Sequence, residues 1–484
     1  MDKKVLSNYF YNVLYQIAKN ALSIIIVPYV MGTLGESVLG VSDFASNIAS
    51  WFILFGILGI NVYGNREIAK VRDDKQKLSK VFFEILLMQV SNMSIALVAY
   101  FLFSKSSGFS NITIYYLTCI SIVANAIDIS WFFFGIENFK IVSIRNIVIK
   151  VLGVAMIMLF VKKPSDLWKY VVINGCGDLL GNIAMYFGLR NRIEKVRINI
   201  IDAYKNHFVQ TFILFVPTIA SSIYNLLDQT MLGFIIEDKG EVALYKTAHS
   251  FVKIFLYFTT SLGAVLLPRI ANTFYKDHDY SKVSTYINTS LKYTLLIAIP
   301  MTFGFFFVSP YFIPWYLPNQ LQIIKLIQFS CPIITLISIS NVFGYQFLIP
   351  TGHNKQYSTS LVIGACTNAI ANAISIPKFY GIGAAVGSVI AEFMVMFTQL
   401  LYARNRIKVN IFANLFKYLL SSVAMSIIVV VIGSVFGSSV VVNLVQAVLG
   451  VVTYVVVLLL LKEEMVISLK NRVFSKIQIS HKNV

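Results

Sequence analysis

Charged side chains stand inside apolar segments of this chain, and they are the residues best placed to do chemistry. Both signs occur, at Lys19, Asp43, Asp128, Lys150, Asp178, Asp228, Lys246, Lys253, Lys292, Lys325 and Glu392. Each charge at a bilayer centre costs about 2.5 to 3.5 kcal/mol, so the total is on the order of 15 kcal/mol even if half lie near segment ends. Such charges need a water-filled interior. We therefore expect a helical membrane protein that transports something polar or charged.

The composition requires a membrane around these segments. Of the 484 residues, 57% are hydrophobic and 13% are charged, and the mean hydropathy of +0.73 is too high for a soluble globular protein. Apolar runs of about 20 residues are long enough to cross the hydrocarbon as helices. They predict an all-α integral membrane protein with about fourteen transmembrane helices, at residues 9–30, 40–61, 81–104, 112–135, 142–161, 166–188, 207–236, 244–267, 286–308, 322–349, 358–376, 381–402, 412–434 and 439–461.

The net charge of +18 is explained by topology and does not indicate nucleic-acid binding. Most Lys and Arg lie in alternate loops, which the positive-inside rule assigns to the cytoplasm together with both termini. The sequence has no Gly-x-x-x-x-Gly-Lys-Ser/Thr loop, and its five His and four Cys form no metal-ligand motif. We therefore expect a protein that is not an enzyme and holds no cofactor or metal.

Two passages of the chain repeat each other. Asp178 is followed 12 residues later by the sequence RNRI, and Glu392 is followed 12 residues later by the same four residues. Six spans per half with one orientation form a parallel repeat, whose halves can rock about a shared cavity. The repeat predicts an N-terminal lobe at 1–206, a C-terminal lobe at 207–411, and two additional helices with a basic tail at 412–484.

Polar residues at spacings of three and four align on helix faces, as Asp43, Asn47 and Ser50 do, and could face the cavity. Interhelical hydrogen bonding is the alternative role for the Ser and Asn positions, and structural salt bridges are the alternative for Asp43 and Asp128. Lysines around one cavity would bind phosphate or an acidic sugar, and carboxylates would carry protons or cations. The predicted substrate-binding residues are Lys19, Lys150, Lys253 and Lys292; the ion-coupling candidates are Asp43, Asp128, Asp178, Asp228 and Glu392.

Four motifs resemble the polysaccharide transporter family: YGNREIA at 63–69, DISWFFFGIE at 128–137, LDQTMLG at 227–233 and LPRI at 267–270. On these residues the chain is similar to Wzx-type flippases of the multidrug, oligosaccharidyl-lipid and polysaccharide exporter superfamily. The resemblance implies fourteen helices, with two six-helix lobes in a V around a central cavity plus two additional helices. It transfers no individual site residue, so the lysines rest on their position alone.

The resemblance also implies a substrate and a location. The substrate would be an oligosaccharide repeat unit on undecaprenyl diphosphate, moved from the cytoplasmic to the outer leaflet of a bacterial cell membrane by alternating access. Its use would be capsule, O-antigen or exopolysaccharide assembly, with the polysaccharide polymerase and assembly machinery as partners. Lys19, Lys253 and Lys292, together with Lys150, would hold the diphosphate. One chain contains the whole cavity, so we expect a monomer.

Three other functions remain open from the sequence. A cation-coupled multidrug exporter of the same superfamily would favour acidic and aromatic cavity walls, and the lysines argue against it. A lipid II flippase is poorly separated from the main prediction. A membrane glycan polymerase or glycosyltransferase would need a sizeable outward loop, and the loops between these spans are short.

Overall fold

The computed structural model describes residues 22–277, 279–410 and 414–468, and the regular structure in these ranges is helical. The first helix is α1 (Leu22–Leu34). It is followed by α2 (Glu36–Ile57), α3 (Ile60–Val71), α4 (Lys75–Ser106), α5 (Ile112–Ala126), α6 (Ser130–Gly135), α7 (Phe139–Phe160), α8 (Leu167–Phe187), α9 (Ile200–Ile235), α10 (Gly240–Asp277), α11 (Tyr280–Tyr316), α12 (Ile323–Ser330), α13 (Pro332–Ser340), α14 (Asn354–Arg404), α15 (Leu415–Phe436) and α16 (Val440–Leu460). A 3₁₀ turn (Pro164–Asp166) precedes α8, and a π-helix (Asn341–Leu348) follows α13.

The predicted spans coincide with these helices. Spans 2 to 14 each fall on one or more of them, and α1 covers the end of span 1, whose start lies outside the described residues. Within the described ranges, nine helical segments are long and apolar enough to cross a membrane. The all-α membrane class is therefore confirmed.

Span 4, predicted at residues 112–135, is found as one membrane-crossing segment, Ile112–Gly135, but its helix is interrupted. The helix stops at Ala126 and resumes at Ser130. The break contains neither Pro nor Gly, and it lies within a segment that must cross the hydrocarbon. Its carbonyl groups therefore have to be satisfied by side chains, and these side chains form part of the candidate site below.

Spans 11 and 12 form a hairpin inside α14. The chain turns at Tyr380, where φ is 54°, and the two halves of α14 then run side by side. Ser375 Oγ donates to the Gly383 carbonyl at 2.9 Å, and further along Gln399 Nε2 donates to Ser360 Oγ at 3.0 Å. A Cβ added to Gly383 would lie 2.4 Å from the Ser375 carbonyl oxygen. Small residues thus let the two backbones come almost into contact.

Aspartate side chains in short loops cap the N-termini of α4 and α11. Asp74 Oδ1 accepts hydrogen bonds from the backbone N–H groups of Gln76 and Lys77, both at 3.1 Å, and Asp279 does the same for α11 at Ser281 and Lys282. These bonds satisfy N–H groups that the helix itself leaves open. The backbone N–H of Lys77 and, to a smaller extent, its ammonium group also hold the pKa of Asp74 below its usual value.

Packing divides the chain into two compact units that meet in sequence between Ala243 and Leu244. In the first unit, α2 packs on α4, α5 and α9, and α5 packs on α8. In the second unit, α11 packs on α13 and α15, and α15 packs on α16. The lobe boundaries predicted at residues 206 and 411 stay a prediction.

Two motifs of the family resemblance pack against each other in the first unit. An added Cβ on Gly64 of α3 would lie 2.7 Å from Trp131 Cε3 on α6, and one on Gly135 would lie 2.6 Å from Ile68 Cγ2. The Trp131 side chain is only 1% exposed. An ion pair of 2.6 Å between Arg72 and Glu137 joins the ends of the same two segments. The motifs are thus at least partly a packing requirement.

We predict that Gly64→Ala lowers the stability of the folded protein by roughly 1–3 kcal/mol, because the new methyl group overlaps the indole ring. The matched control is Gly153→Ala on α7, where no atom lies within 4 Å of an added Cβ, and no loss is expected there. Thermal unfolding of the purified variants in detergent measures both. Equal unfolding temperatures for the two variants would contradict the tight contact at Gly64.

Candidate functional site

The structure describes eight of the nine predicted site residues, and Lys19 lies outside the described ranges. Three carboxylates are buried: Asp43 on α2 is 7% exposed, Asp228 on α9 is 4% exposed and Glu392 on α14 is 6% exposed. Asp128 is half-buried in the break between α5 and α6, and Asp178 is exposed on α8. Among the lysines, Lys150 is exposed on α7, whereas Lys253 on α10 and Lys292 on α11 are half-buried.

An arginine that was not among the predicted site residues organises a polar cluster in the first unit. Arg145 on α7 donates from Nη1 to Asn182 Oδ1 at 2.7 Å and from Nη2 to Ser130 Oγ at 2.9 Å. Its Nη2 also lies 3.8 Å from Asp128 Oδ1, and its side chain is 13% exposed. One guanidinium therefore ties together α6, α7, α8 and the break before α6.

The break at residues 127–129 aims Asp128 at this arginine. Asp128 Oδ1 accepts from the Ser130 backbone N–H at 2.9 Å and from Ser130 Oγ at 2.5 Å. This local bonding competes with the helix and turns the chain. The carboxylate can then face Arg145, and Asp128 takes part in an ion pair. This is the structural salt bridge that the sequence analysis left open as the alternative role of Asp128.

Side chains satisfy the carbonyl groups that the break releases. Gln89 Nε2 donates to the carbonyls of Asn125 and Asp128, both at 2.9 Å. Asn182 Nδ2 donates to the Ala124 carbonyl at 2.7 Å, and the Tyr186 hydroxyl donates to the Ile127 carbonyl at 3.1 Å. The amide of Gln89 is itself held by Trp131 Nε1 at 2.9 Å.

Two more predicted residues join the same region. The charges of Lys150, Arg145 and Asp128 all act on the Asp178 carboxyl, the first two attracting it and the third repelling it. Three predicted residues, Asp128, Lys150 and Asp178, therefore lie in the same region as Arg145. Because this group holds two positive and two negative side chains, the charge of Lys150 is partly compensated.

The polar stripe on α2 faces another helix. Asn47 Nδ2 donates to the Leu226 carbonyl of α9 at 3.2 Å, and Thr230 Oγ1 donates to Asn47 Oδ1 at 2.6 Å. Trp51 Nε1 donates to the same Thr230 hydroxyl at 2.8 Å. Asn47 is only 4% exposed. Its role is therefore interhelical hydrogen bonding, the alternative to facing the cavity.

The predicted residues of the second unit have different surroundings. Ser388, one turn before Glu392, shares a hydrogen bond of 3.0 Å with the Tyr245 hydroxyl of α10, so this face of α14 packs on α10. Lys292 forms no hydrogen bond or ion pair with any residue that the structure describes. Within the described ranges, no group of three His, Cys, Asp or Glu side chains could hold a metal ion.

Sequence reasoning missed Arg145 and the buried Glu84, which is 3% exposed. Both lie inside predicted spans, at 142–161 and 81–104, so a complete inventory of charges within the spans would have found them. Gln89 carries no comparable signal, because neutral polar residues also occur throughout ordinary helix interfaces of membrane proteins. Asn182 lies on a polar stripe with Asn174 and Asp178 in span 6, and its spacing predicts a shared helix face.

Comparison with known proteins identifies a family and relatives that this chain resembles. The family described as polysaccharide biosynthesis protein matches residues 5–274. A protein of Escherichia coli (strain K12) with the name "Putative O-antigen transporter" is 24% identical over 411 residues, which cover 82% of this chain and 96% of that protein. A protein of the same name from Shigella dysenteriae is 24% identical over 389 residues, covering 77% of this chain and 93% of its own length.

Solved structures share the fold. The lipid II flippase MurJ in an inward closed conformation matches with a TM-score of 0.75 at 16% identity, over 94% of this chain and 100% of that chain. An inward-facing multidrug resistance MATE family transporter of the MOP superfamily matches with a TM-score of 0.53 at 12% identity, over 80% and 98%. These identities show a common fold alone. The family match extends over more than half of the sequence, and the chain therefore belongs to the polysaccharide biosynthesis protein family, as its motifs predicted.

Proposed function

We propose that this protein is a flippase for undecaprenyl diphosphate-linked oligosaccharide repeat units. It moves them from the cytoplasmic to the outer leaflet of a bacterial cell membrane by alternating access, and the product serves capsule, O-antigen or exopolysaccharide assembly. The observation that carries the proposal is the set of charged side chains kept within membrane helices of a polysaccharide biosynthesis family member. The names of the O-antigen transporter relatives support the same substrate class.

Lys292 is the described lysine best suited to an anionic substrate. It lies on α11 within predicted span 9, it is half-buried, and no described residue neutralises it. A charge at such a position needs water or a ligand of opposite sign. A diphosphate supplies that charge, while the polyprenyl tail of the same molecule can stay in the hydrocarbon.

Lys19 and Lys253 complete the proposed diphosphate site, with Lys150 in a secondary role because Asp178 compensates its charge. Asp43, Asp128, Asp178, Asp228 and Glu392 remain the carboxylate candidates for coupling to protons or cations. Of these, Asp128 is the weakest, since its ion pair with Arg145 gives it a structural task.

The test is the leaflet distribution of undecaprenyl diphosphate-linked oligosaccharide in cells with and without the protein. Accumulation confined to the cytoplasmic leaflet on loss of the protein supports the proposal. Accumulation of lipid II would instead identify a lipid II flippase. An unchanged distribution together with increased drug sensitivity would identify a multidrug exporter and would contradict the lysine site.

We predict that Lys292→Ala reduces flipping at least about tenfold, the effect of losing one charge-assisted contact worth roughly 1.4 kcal/mol. Lys19→Ala and Lys253→Ala are expected to abolish it. The control is Lys355→Ala, because Lys355 is exposed near the start of α14 and should keep full activity. Protein levels in the membrane are measured in parallel. Full flipping by Lys292→Ala at normal protein level would remove this lysine from the site.

A double-mutant cycle tests the ion pair of the first unit. Arg145→Ala should destabilise the protein because it leaves Asp128 without its counter-charge, and adding Asp128→Asn should restore part of the loss. The expected coupling energy is roughly 1–3 kcal/mol by thermal or denaturant unfolding. Lys163→Ala, at an exposed position after α7, should change nothing. Strictly additive effects of the two substitutions would show that the pair contributes no stability.

A further inference from the structure

A chain of three buried polar groups crosses the first unit and has no part in the site above. His207 on α9 lies with Nε2 2.9 Å from Glu84 Oε2 on α4, and with Nδ1 2.8 Å from the Tyr63 hydroxyl on α3. The side chains of His207 and Glu84 are 7% and 3% exposed. Burying an acid and an imidazole costs desolvation energy, which their attraction offsets only with good geometry and further hydrogen bonds.

With Glu84 ionised, the two contacts of His207 determine which of its ring nitrogens carries a hydrogen. An ionised carboxylate only accepts, so Nε2 of His207 carries the hydrogen that faces Glu84. In the neutral ring, Nδ1 accepts from the Tyr63 hydroxyl. In the protonated ring, Nδ1 donates to the same hydroxyl oxygen, which both donates and accepts. His207 can therefore bind or release a proton without losing either contact.

Other charged or polar groups lie near this chain on α4, α3 and α9. On α4, Lys80 Nζ lies 3.9 Å from Glu84 Oε1. On α3, the Arg66 guanidinium lies 5.6 Å from the Tyr63 ring centre, and Glu67 pairs with Arg66 at 3.1 Å. On α9 itself, Asn206 Nδ2 lies 3.5 Å from Glu84 Oε1. The acidic residues of α2, Glu36 and Asp43, lie near the opposite end of α9, where Gly40 meets Lys239.

Protonation changes the strength of the contact between α9 and α4. A neutral imidazole N–H donates a charge-assisted hydrogen bond to the ionised Glu84 carboxylate, and such bonds are about twice as strong as bonds between neutral groups. An imidazolium adds the attraction of a full ion pair at the same 2.9 Å. The helix held in this way, α9, is the one that the sequence repeat predicts as the first of the second lobe.

We propose that His207, held between Glu84 and Tyr63, is a binding site for the proton that couples to transport. Proton uptake tightens the attachment of α9 to α3 and α4, and proton release loosens it. Coupling to transport rests on the proposed flippase function, whereas proton binding at His207 does not.

The first experiment observes the proton directly. Protein labelled with ¹⁵N-histidine is reconstituted into nanodiscs and followed by NMR from about pH 5 to pH 9, the range in which histidine titrates. The five histidines of the chain are assigned by single substitution. We expect the His207 ring to take up a proton as the pH is lowered and to carry its hydrogen on Nε2 in the neutral form. Glu84→Gln should lower its proton affinity at least about tenfold. A His207 that stays in one protonation state throughout would overturn the proposal.

The second experiment measures flipping in proteoliposomes as a function of pH. His207→Gln keeps a donor toward Glu84 but cannot bind a proton, so we expect its flipping to lose the pH dependence of the wild type. His353→Gln is the control, because His353 lies before α14 and bonds Thr351; its pH profile should match the wild type. An unchanged profile in His207→Gln overturns the coupling role. Absence of flipping in the wild type would refute the proposed function, while the NMR titration would still decide on the proton site.

Discussion

The absence of water in the hydrocarbon is the constraint on which the first unit depends. Every backbone carbonyl there needs a protein partner, and the break at residues 127–129 releases several at once. Gln89, Asn182 and Tyr186 supply the partners from α4 and α8. Their positions fix how α4, α5, α6 and α8 lie against one another. The polar cluster around the break is thus a consequence of one irregular turn.

The same constraint sorts the charged residues into two groups. Around the break, Arg145, Lys150, Asp128 and Asp178 offset each other, and their sum is close to neutral. Charges that pair in this way cost less within a membrane than single charges do, and they can tie helices together. Lys292 lacks a described counter-charge, and the His207 chain changes its charge with pH. At Lys292 an anionic substrate can therefore supply the missing counter-charge, and at His207 a proton can be bound.

Much of the fold could be predicted from the sequence, because a membrane-crossing helix requires an apolar run of fixed length. The gap left between spans 11 and 12 is where Tyr380 turns the chain. The break in span 4 was not predictable in this way, since Asp128 and Ser130 form a local turn without Pro or Gly. The candidate site was harder still. Asn47 has the spacing of a cavity residue but contacts α9. Arg145 can be found as a charge within a span, but its pairing with Asp128 joins two different spans and cannot be read from spacing. Spacing selects a helix face, and only the packing decides what that face meets.

The hairpin in α14 also limits what the aqueous phase can reach. Because the chain reverses within a residue or two at Tyr380, and because Ser375 and Gly383 are in hydrogen-bond contact, almost no free polypeptide connects these two spans. A protease, an antibody or an inserted epitope tag needs an extended, flexible stretch of several residues. This connection offers none, so we expect proteolysis and tag insertion, two common probes of membrane topology, to fail at Tyr380. The gap between α4 and α5, at residues 107–111, is longer and remains open to them.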